Sequence, residues 1–152
     1  MAYNTPATQT TGDLITTAIW NAEVVDNAVE LAKGGYVVVF DGGGATLSTD
    51  LSIEVPYIPS QFTITDVTLK SSDTGDLTLD IRVPAITSNS AAASDSICGA
   101  SFPALSCDSY YHDGTLTGWT KQVASGKSIV HRITAAVAVT KASLSVNFTR
   151  SS

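Results

Sequence analysis

The sequence predicts a mainly β protein: an antiparallel β-sandwich of the jelly-roll type, preceded by an extended N-terminal arm and one short α-helix. Beyond residue 36, apolar and polar residues alternate with a period of two, which is the pattern of half-buried strands. About seven or eight such segments are separated by short turns, a spacing typical of antiparallel sandwiches. We therefore divide the chain into an arm at 1–15, a helix at 16–33 and a sandwich at 36–150.

The front of the chain holds the one segment with a helical period. Thr16 or Thr17 is a candidate N-cap, and Gly34-Gly35 is expected to stop the helix because glycine adopts the left-handed C′ conformation easily. The apolar positions recur at offsets of three and four and form one stripe: Ile19, Trp20, Val24, Val25, Ala28, Leu31 and Ala32. Two interpretations remain open. The stripe docks on its own sandwich and only the arm reaches a partner, or the helix attaches to the partner as well.

The strands follow from residue 36 onward. We expect strands at 36–40 and 46–55, and a hairpin that pairs 61–71 with 76–83 across a turn at 72–75. Within the first arm of that hairpin the apolar parity switches at Thr65 and Asp66, which predicts a β-bulge or a bend. Later strands are expected at 116–123, 128–139 and 142–148. Residues 84–114, rich in Ser, Ala, Pro, Asp and Gly, have the composition of a long loop.

Composition and charge exclude several classes of function. A chain of 152 residues suits one domain, and only 14% of its residues are charged. The net charge is −6 and no Lys/Arg cluster occurs, so we expect no nucleic-acid partner. We expect no membrane partner either, because no apolar run approaches the ~20 residues of a bilayer span. Residues 1–6 lack a basic n-region and an apolar h-region, so we expect no signal peptide.

The sequence contains no convincing catalytic or cofactor motif. His112-Asp113 lies in a predicted turn, where neighbouring side chains point apart, and His131 in a strand is expected to be partly buried or at an interface. No Gly-x-Ser-x-Gly elbow accompanies the many serines. The glycines at 42–44 lack the Lys-Ser/Thr ending and the helix of a phosphate loop. We therefore expect a protein that is not an enzyme and uses no cofactor.

No metal-ligand spacing is present either. Asp73, Asp76 and Asp80 are close in sequence, but hairpin geometry would place Asp80 on the solvent face of its strand, and the spacing is not that of an EF-hand. We expect no metal site. Cytosolic synthesis favours free thiols for Cys98 and Cys107, whereas their spacing alone also allows a disulfide.

Aromatic residues give the clearest candidates for a contact surface. Trp119 lies in a predicted strand beside apolar neighbours, which favours a role in the core. Tyr110 and Tyr111, in the predicted 84–114 loop, are better placed to contact a glycan or another protein.

Several segments resemble tailed-bacteriophage virion proteins. The front end, GDLITTAIWN at 12–21 and VDN at 25–27, resembles their N-terminal segments, and the β-part is similar to small phage sandwich domains. The segments that carry the second likeness are ITDVTL at 64–69, DLTLDI at 76–81, DSI at 95–97, LTGWT at 116–120 and VASGK at 123–127. The resemblance covers most of the chain. It implies a non-enzymatic structural protein of the virion, assembled in the host cytoplasm, and offers no catalytic residues.

Within that class, a single compact domain without a fibrous shaft favours a head decoration, or cement, protein. The resemblance implies a homotrimer that binds the major capsid protein or other virion subunits and stabilises the head. The alternative is a receptor- or carbohydrate-binding module of a tail or head fibre, which would contact a host-surface glycan. The candidate interaction residues are Tyr3, Leu14, Ile15, Trp20, Tyr110 and Tyr111.

Overall fold

The computed structural model describes Trp20 and residues 26–87 and 91–150. The chain divides into two compact units, Met1–Gly34 and Gly35–Ser152. In chain order the elements are helix α1 (Asp26–Leu31), β1 (Lys33–Asp41), β2 (Ser52–Val55), β3 (Phe62–Arg82), a 3-10 helix (Ala93–Asp95), β4 (Ala104–Asp113), β5 (Gln122–Val123), β6 (Ile129–Val137) and β7 (Lys141–Arg150). The predicted arm at 1–15 lies outside the described residues. Of the predicted helix, Trp20 and Asp26–Leu31 are helical in the part described.

The mainly β, antiparallel fold class is confirmed. The strands of the described residues join in one curled sheet with the order β1-β7-β3-β6-β2, and β4 and β5 also pair with β3. Every pairing with a defined register is antiparallel. The division into the two separate layers of a jelly roll stays a prediction.

Strand β3 organises the sheet because different strands pair with its two halves. Along one edge, Phe62–Ser71 pairs with β7 and Asp76–Arg82 pairs with β6. Along the other edge, β4 pairs with the stretch of β3 from Val67 to Thr78. The predicted hairpin across 72–75 is therefore wrong, since these residues lie within one continuous strand of 21 residues. The pairing with β4 shifts its register on both sides of Gly75, and we call this irregularity the bend.

The bend is held by contacts to the link between β6 and β7. The Asp73 carboxylate accepts hydrogen bonds from the backbone N–H and the hydroxyl of Thr140. A Cβ at Gly75 would lie 2.5 Å from the carbonyl oxygen of Val137, so only glycine fits there. Residues that favour turns thus appear at 72–75 because the strand bends there, not because the chain reverses.

The core lies between the inward faces of these strands. Its fully buried members include Phe40, Leu69, Leu77, Ile133 and Leu144. The parity switch predicted at Thr65 and Asp66 is confirmed, because the β3–β7 register shifts between Ile64 and Asp66. The strands predicted at 128–139 and 142–148 correspond to β6 and β7.

Three other local predictions are corrected. Strand β1 already begins at Lys33, so Gly35 lies within the strand and does not stop the helix. Glycine is needed at position 35 because a Cβ there would lie 2.5 Å from the Asn147 side-chain oxygen. The predicted loop at 84–114 contains strand β4, which occupies the second edge of β3. Of the predicted strand at 116–123, only Gln122–Val123 is a strand, because Leu116 (φ 48°) and Gly118 (φ 81°) turn the chain.

Candidate interaction surface

The candidate functional site is the outward face of four neighbouring strands, in the order β4, the first half of β3, β7 and β1. We call this face the platform. Small hydroxyl side chains occupy its centre, and larger side chains flank them on both sides. Its members are Val37 and Val39 on β1, Thr68 and Lys70 on β3, Tyr110 and His112 on β4, and Ser143 and Ser145 on β7.

Tyr110 is the most exposed aromatic residue of the platform, with 51% of its surface accessible. It pairs across the strands with Lys70, whose ammonium nitrogen lies 5.6 Å from the centre of the tyrosine ring. This is a cation–π contact, which favours one orientation of the ring. Tyr110 therefore presents an oriented aromatic face to solvent, as a contact residue requires.

Tyr111 points the other way. Side chains alternate across a strand, so Tyr111 faces inward, where it is half-buried and packs against the core. Burial raises the pKa of its hydroxyl above the usual value. The two neighbouring tyrosines consequently do not form one contact surface, and of the pair only Tyr110 lies on the platform.

His112 and Asp113 do not form a catalytic pair. The His112 ring shares a 3.0 Å hydrogen bond with the Thr68 hydroxyl on the platform. The Asp113 carboxylate instead accepts the backbone N–H groups of Leu116 and Thr115, at 2.9 and 2.7 Å. These bonds hold the pKa of Asp113 below its usual range, and its role is to fix the turn after β4.

A shallow cleft of about 260 Å³ opens on the platform beside Val39 and Lys70. Ser143 and Ala142 line it, and Lys141 lies at its end. The Lys141 ammonium is 3.0 Å from the Asp41 carboxylate. The backbone N–H of Gly43, followed by Lys141, holds the pKa of Asp41 below its usual range. Because Asp41 neutralises Lys141, Lys70 supplies the remaining charge of a cleft that is otherwise lined mainly by hydroxyl and methyl groups.

Exposed apolar residues are concentrated toward the front of the described chain. Eleven large hydrophobic side chains are exposed among the described residues, and five of them lie between residues 20 and 39. These five are Trp20, Val29, Leu31, Val37 and Val39. The first three belong to the unit Met1–Gly34, whereas Val37 and Val39 lie on the platform. Isolated exposed apolar residues are ordinary, and we interpret the three that precede β1 as candidate contact residues. Tyr3, Leu14 and Ile15, the other predicted interaction residues, lie outside the described residues.

Sequence reasoning did not single out Val37 and Val39. The run from Tyr36 to Phe40 is consistent with a strand buried on both faces, as in parallel sheets. In the structure Val38 and Phe40 are buried, whereas Val37 and Val39 are exposed. A signal was available, because β1 directly follows the candidate attachment helix, and exposed valines on a strand near the edge of a sheet invite pairing or docking.

His131 is a structural residue. It is fully buried, and its Nδ1 lies 3.3 Å from the carbonyl oxygen of Ile53, which can only accept a hydrogen bond. Nδ1 therefore carries the proton, and Nε2 accepts the Tyr36 hydroxyl at 3.0 Å. Burial lowers the pKa of His131 to about 4 and raises that of Tyr36. A neutral histidine with both ring nitrogens engaged has no free atom for acid–base chemistry.

Asp80, predicted on the solvent face, is buried. Its carboxylate accepts Arg82 Nε at 2.7 Å and the Ser96 hydroxyl at 2.6 Å, while Arg82 donates to the Ala91 carbonyl oxygen at 2.8 Å. The prediction failed because residues 91–97 cover the outward face of this half of β3. Within the described residues, no group of three or more His, Cys, Asp or Glu side chains is placed to hold a metal ion.

The remaining candidates have structural roles. Trp119 is buried as predicted, and its indole N–H donates to the Ser101 carbonyl oxygen at 2.7 Å. Cys98 and Cys107 are both free, the first buried and the second exposed.

Across the part of the chain that the structure describes, no helix is long and apolar enough to cross a membrane.

Comparison of the sequence with protein-family models gives no match. A search among curated proteins also gives none.

Proposed function

We propose that this chain is a non-enzymatic virion structural protein, a decoration protein that binds an assembled bacteriophage head and stabilises it as a homotrimer. The observation that carries the proposal is the exposure of three large apolar residues ahead of β1, which are Trp20, Val29 and Leu31. The resemblance of the front end and of the β segments to phage virion proteins supplies the class. The major capsid protein or another virion subunit is the partner that covers these residues.

The physical logic is repeated weak contact. One copy offers a few exposed apolar residues and a weakly charged platform, which alone give modest affinity. Three copies on a symmetric head bind together, and each contact raises the local concentration of the next. A protein that works in this way needs a stable body and a contact surface, and no reactive centre.

The chain places one part of its contact surface ahead of the stable body. Every buried hydrophobic residue among those described lies between Val38 and Val146. The candidate contact residues Tyr3, Leu14, Ile15 and Trp20 all precede β1. Removing residues 1–32 should therefore abolish attachment and leave the β-domain folded.

The test uses heads assembled without this protein. Purified full-length chain should bind them in hundreds of copies and raise the temperature at which they disrupt. The variant that lacks 1–32 should keep its circular dichroism spectrum and its cooperative unfolding but fail to bind. Leu31→Ser should weaken binding, whereas Ile86→Ser, a change at a similarly exposed apolar residue outside the front segment, should not. Failure of the full chain to bind such heads would refute the proposal.

A receptor-binding module of a tail or head fibre is the second candidate, and the oriented ring of Tyr110 on the platform favours it. Exposed aromatic faces stack against sugars, and the neighbouring hydroxyl groups suit sugar hydrogen bonds. A glycan array would then show binding that Tyr110→Ala removes. A handful of copies per particle would favour this function, and hundreds would favour decoration.

A further inference from the structure

A second concave feature lies on the β-domain away from the platform. It is a pocket of about 220 Å³ to which β1, β2, β3 and β7 all contribute. We call it the aromatic pocket, and its main lining residues are Tyr36, Tyr57, Pro59, Phe62, Phe148 and Arg150. None of the predicted functional residues lies in it, so the proposed attachment function does not account for it.

The floor of the pocket is a packed aromatic cluster. The ring centres of Phe62 and Phe148 are 4.5 Å apart, and those of Tyr36 and Phe148 are 6.4 Å apart. The Tyr36 hydroxyl forms a 3.0 Å hydrogen bond with the buried His131, and this bond fixes the position of the Tyr36 ring. The floor is therefore formed before any ligand arrives, and a ligand that enters needs little rearrangement.

The rim combines an exposed aromatic ring with a cation. Tyr57 is 55% exposed, so its ring is accessible to an entering ligand. The Arg150 guanidinium carbon lies 5.8 Å from the centre of the Phe148 ring. Among the residues that the structure describes, Arg150 forms no ion pair and no carboxylate lines the pocket. No described residue therefore neutralises this guanidinium, which is the group that an incoming anion would meet.

Size and chemistry together define the ligand. An apolar cavity of about 150 Å³ holds one benzene molecule. The aromatic pocket accommodates a ring of that size and leaves room for a short chain toward the rim. A carboxylate on that chain would meet the Arg150 guanidinium, whose fork of donors matches two carboxylate oxygens. A phosphate-sized, purely polar anion would leave the aromatic floor unused.

We propose that the aromatic pocket binds an aromatic monocarboxylate, with the ring on the Tyr36–Phe62–Phe148 floor and the carboxylate on Arg150. The same chemistry is offered by a free aromatic acid and by the C-terminal residue of a chain that ends in phenylalanine. This binding is independent of head attachment, and each can be present without the other.

The experiment titrates the full-length protein with 3-phenylpropionate and follows binding by calorimetry and by amide chemical shifts. The matched probe is 3-phenyl-1-propanol, which keeps the ring and lacks the charge. We expect the acid to bind about tenfold more tightly than the alcohol, with shifts confined to residues around the aromatic pocket. Arg150→Gln should remove that difference, because only the acid uses the guanidinium.

Lys70→Gln is the control, since it removes one exposed positive charge on the platform and should leave both affinities unchanged. Tyr57→Ala should weaken acid and alcohol alike. A hexapeptide that ends in phenylalanine and its C-terminal amide separate the two sources. Binding of the acid peptide alone identifies a chain terminus, and binding of phenylpropionate without the peptide identifies a free acid. Absence of binding by all acids, or equal losses in Arg150→Gln and Lys70→Gln, would overturn the proposal.

Discussion

The two halves of strand β3 have the same alternating pattern but different surroundings. In the first half, outward residues such as Thr68 and Lys70 lie on the open platform. In the second half, outward Asp80 and Arg82 are 3% and 8% exposed, because residues 91–97 lie over them. The pattern of a strand thus identifies which side chains share a face. Whether that face meets water depends on chain segments elsewhere in the sequence.

The largest expected difference between the halves concerns their charges. Arg82→Ala should lower the free energy of unfolding by about 3–5 kcal/mol, since it leaves the Asp80 carboxylate buried without its cation and frees the Ala91 carbonyl oxygen. Lys70→Ala, on the open half, should change it by less than about 1 kcal/mol. Chemical denaturation of both variants measures the contrast. Equal, small effects of the two variants would mean that residues 91–97, which cover the second half, contribute little to the free energy of unfolding.

The bend between the halves is the next test. Gly75→Ala places a methyl group 2.5 Å from the Val137 carbonyl oxygen and 2.9 Å from a Val139 methyl, so the strands must separate. We expect a loss of about 3 kcal/mol, at the upper end of the usual range for overpacking. Gly114→Ala is the control, because its nearest contact would be at an ordinary 3.5 Å. Thermal unfolding that ranks the two variants equally would contradict this account of the bend.

A lower pH should destabilise the second half of β3 through His131, which lies opposite Ile81 on the neighbouring strand β6. Its pKa is lowered from 6.5 to about 4 by burial, so below pH 6.5 the unfolded chain binds a proton that the folded chain does not. Stability is therefore complete above about pH 7 and falls as the pH decreases toward 4. Between about pH 7.5 and 5 the expected loss is about 2 kcal/mol.

Urea unfolding across this pH range provides the measurement. His131→Gln should flatten the pH dependence of the free energy of unfolding even though the variant is less stable at pH 7.5. A wild-type free energy of unfolding that stays constant down to pH 5 would show that His131 is protonated in the folded protein.

Local periodicity predicted the parts of this fold that depend on neighbouring residues. The bulge at Thr65 and Asp66 was predictable because the apolar parity switches within the strand, and β6 and β7 carry clear alternation. Strand β4 was missed because its polar run around Cys107 contains an irregularity with φ 50°, which interrupts the alternation. Residues 72–75 predict a turn although the strand continues through them, because glycine and aspartate occur both in turns and in strand irregularities.

The sites were less predictable because their members are distant in sequence. Tyr110 was identified as a contact residue, but its opposite orientation to Tyr111 depends on β4 being a strand. The aromatic pocket joins Tyr36, Tyr57 and Phe148 from three separate parts of the chain. No spacing in one sequence reveals such a group, since its geometry is set by the sheet order.

The smallest expected effect concerns reactivity rather than stability, and it compares the two thiols. Cys98 directly follows the segment that covers the second half and belongs to the buried core. Its sulfur lies 4.0 Å from the Ile81 carbonyl oxygen, and burial raises its pKa to about 12. Cys107 is exposed beside the bend, where Asp76 accepts its backbone N–H at 2.9 Å. Iodoacetamide at pH 8 should therefore modify one cysteine in the folded protein and two in urea, as counted by mass spectrometry.

The same experiment reports on the cover itself. A thiol reacts as the thiolate, so buried Cys98 reacts only when the surrounding structure opens and water reaches it. We expect residues 91–97, which directly precede Cys98, to be the part that opens. Arg82→Ala, which removes the hydrogen bond to Ala91, should raise the rate of Cys98 modification under native conditions, and Lys70→Ala should not. If Cys98 in the wild-type protein reacts as fast as Cys107, the second half of β3 is as open as the first. The contrast between the two halves would then disappear.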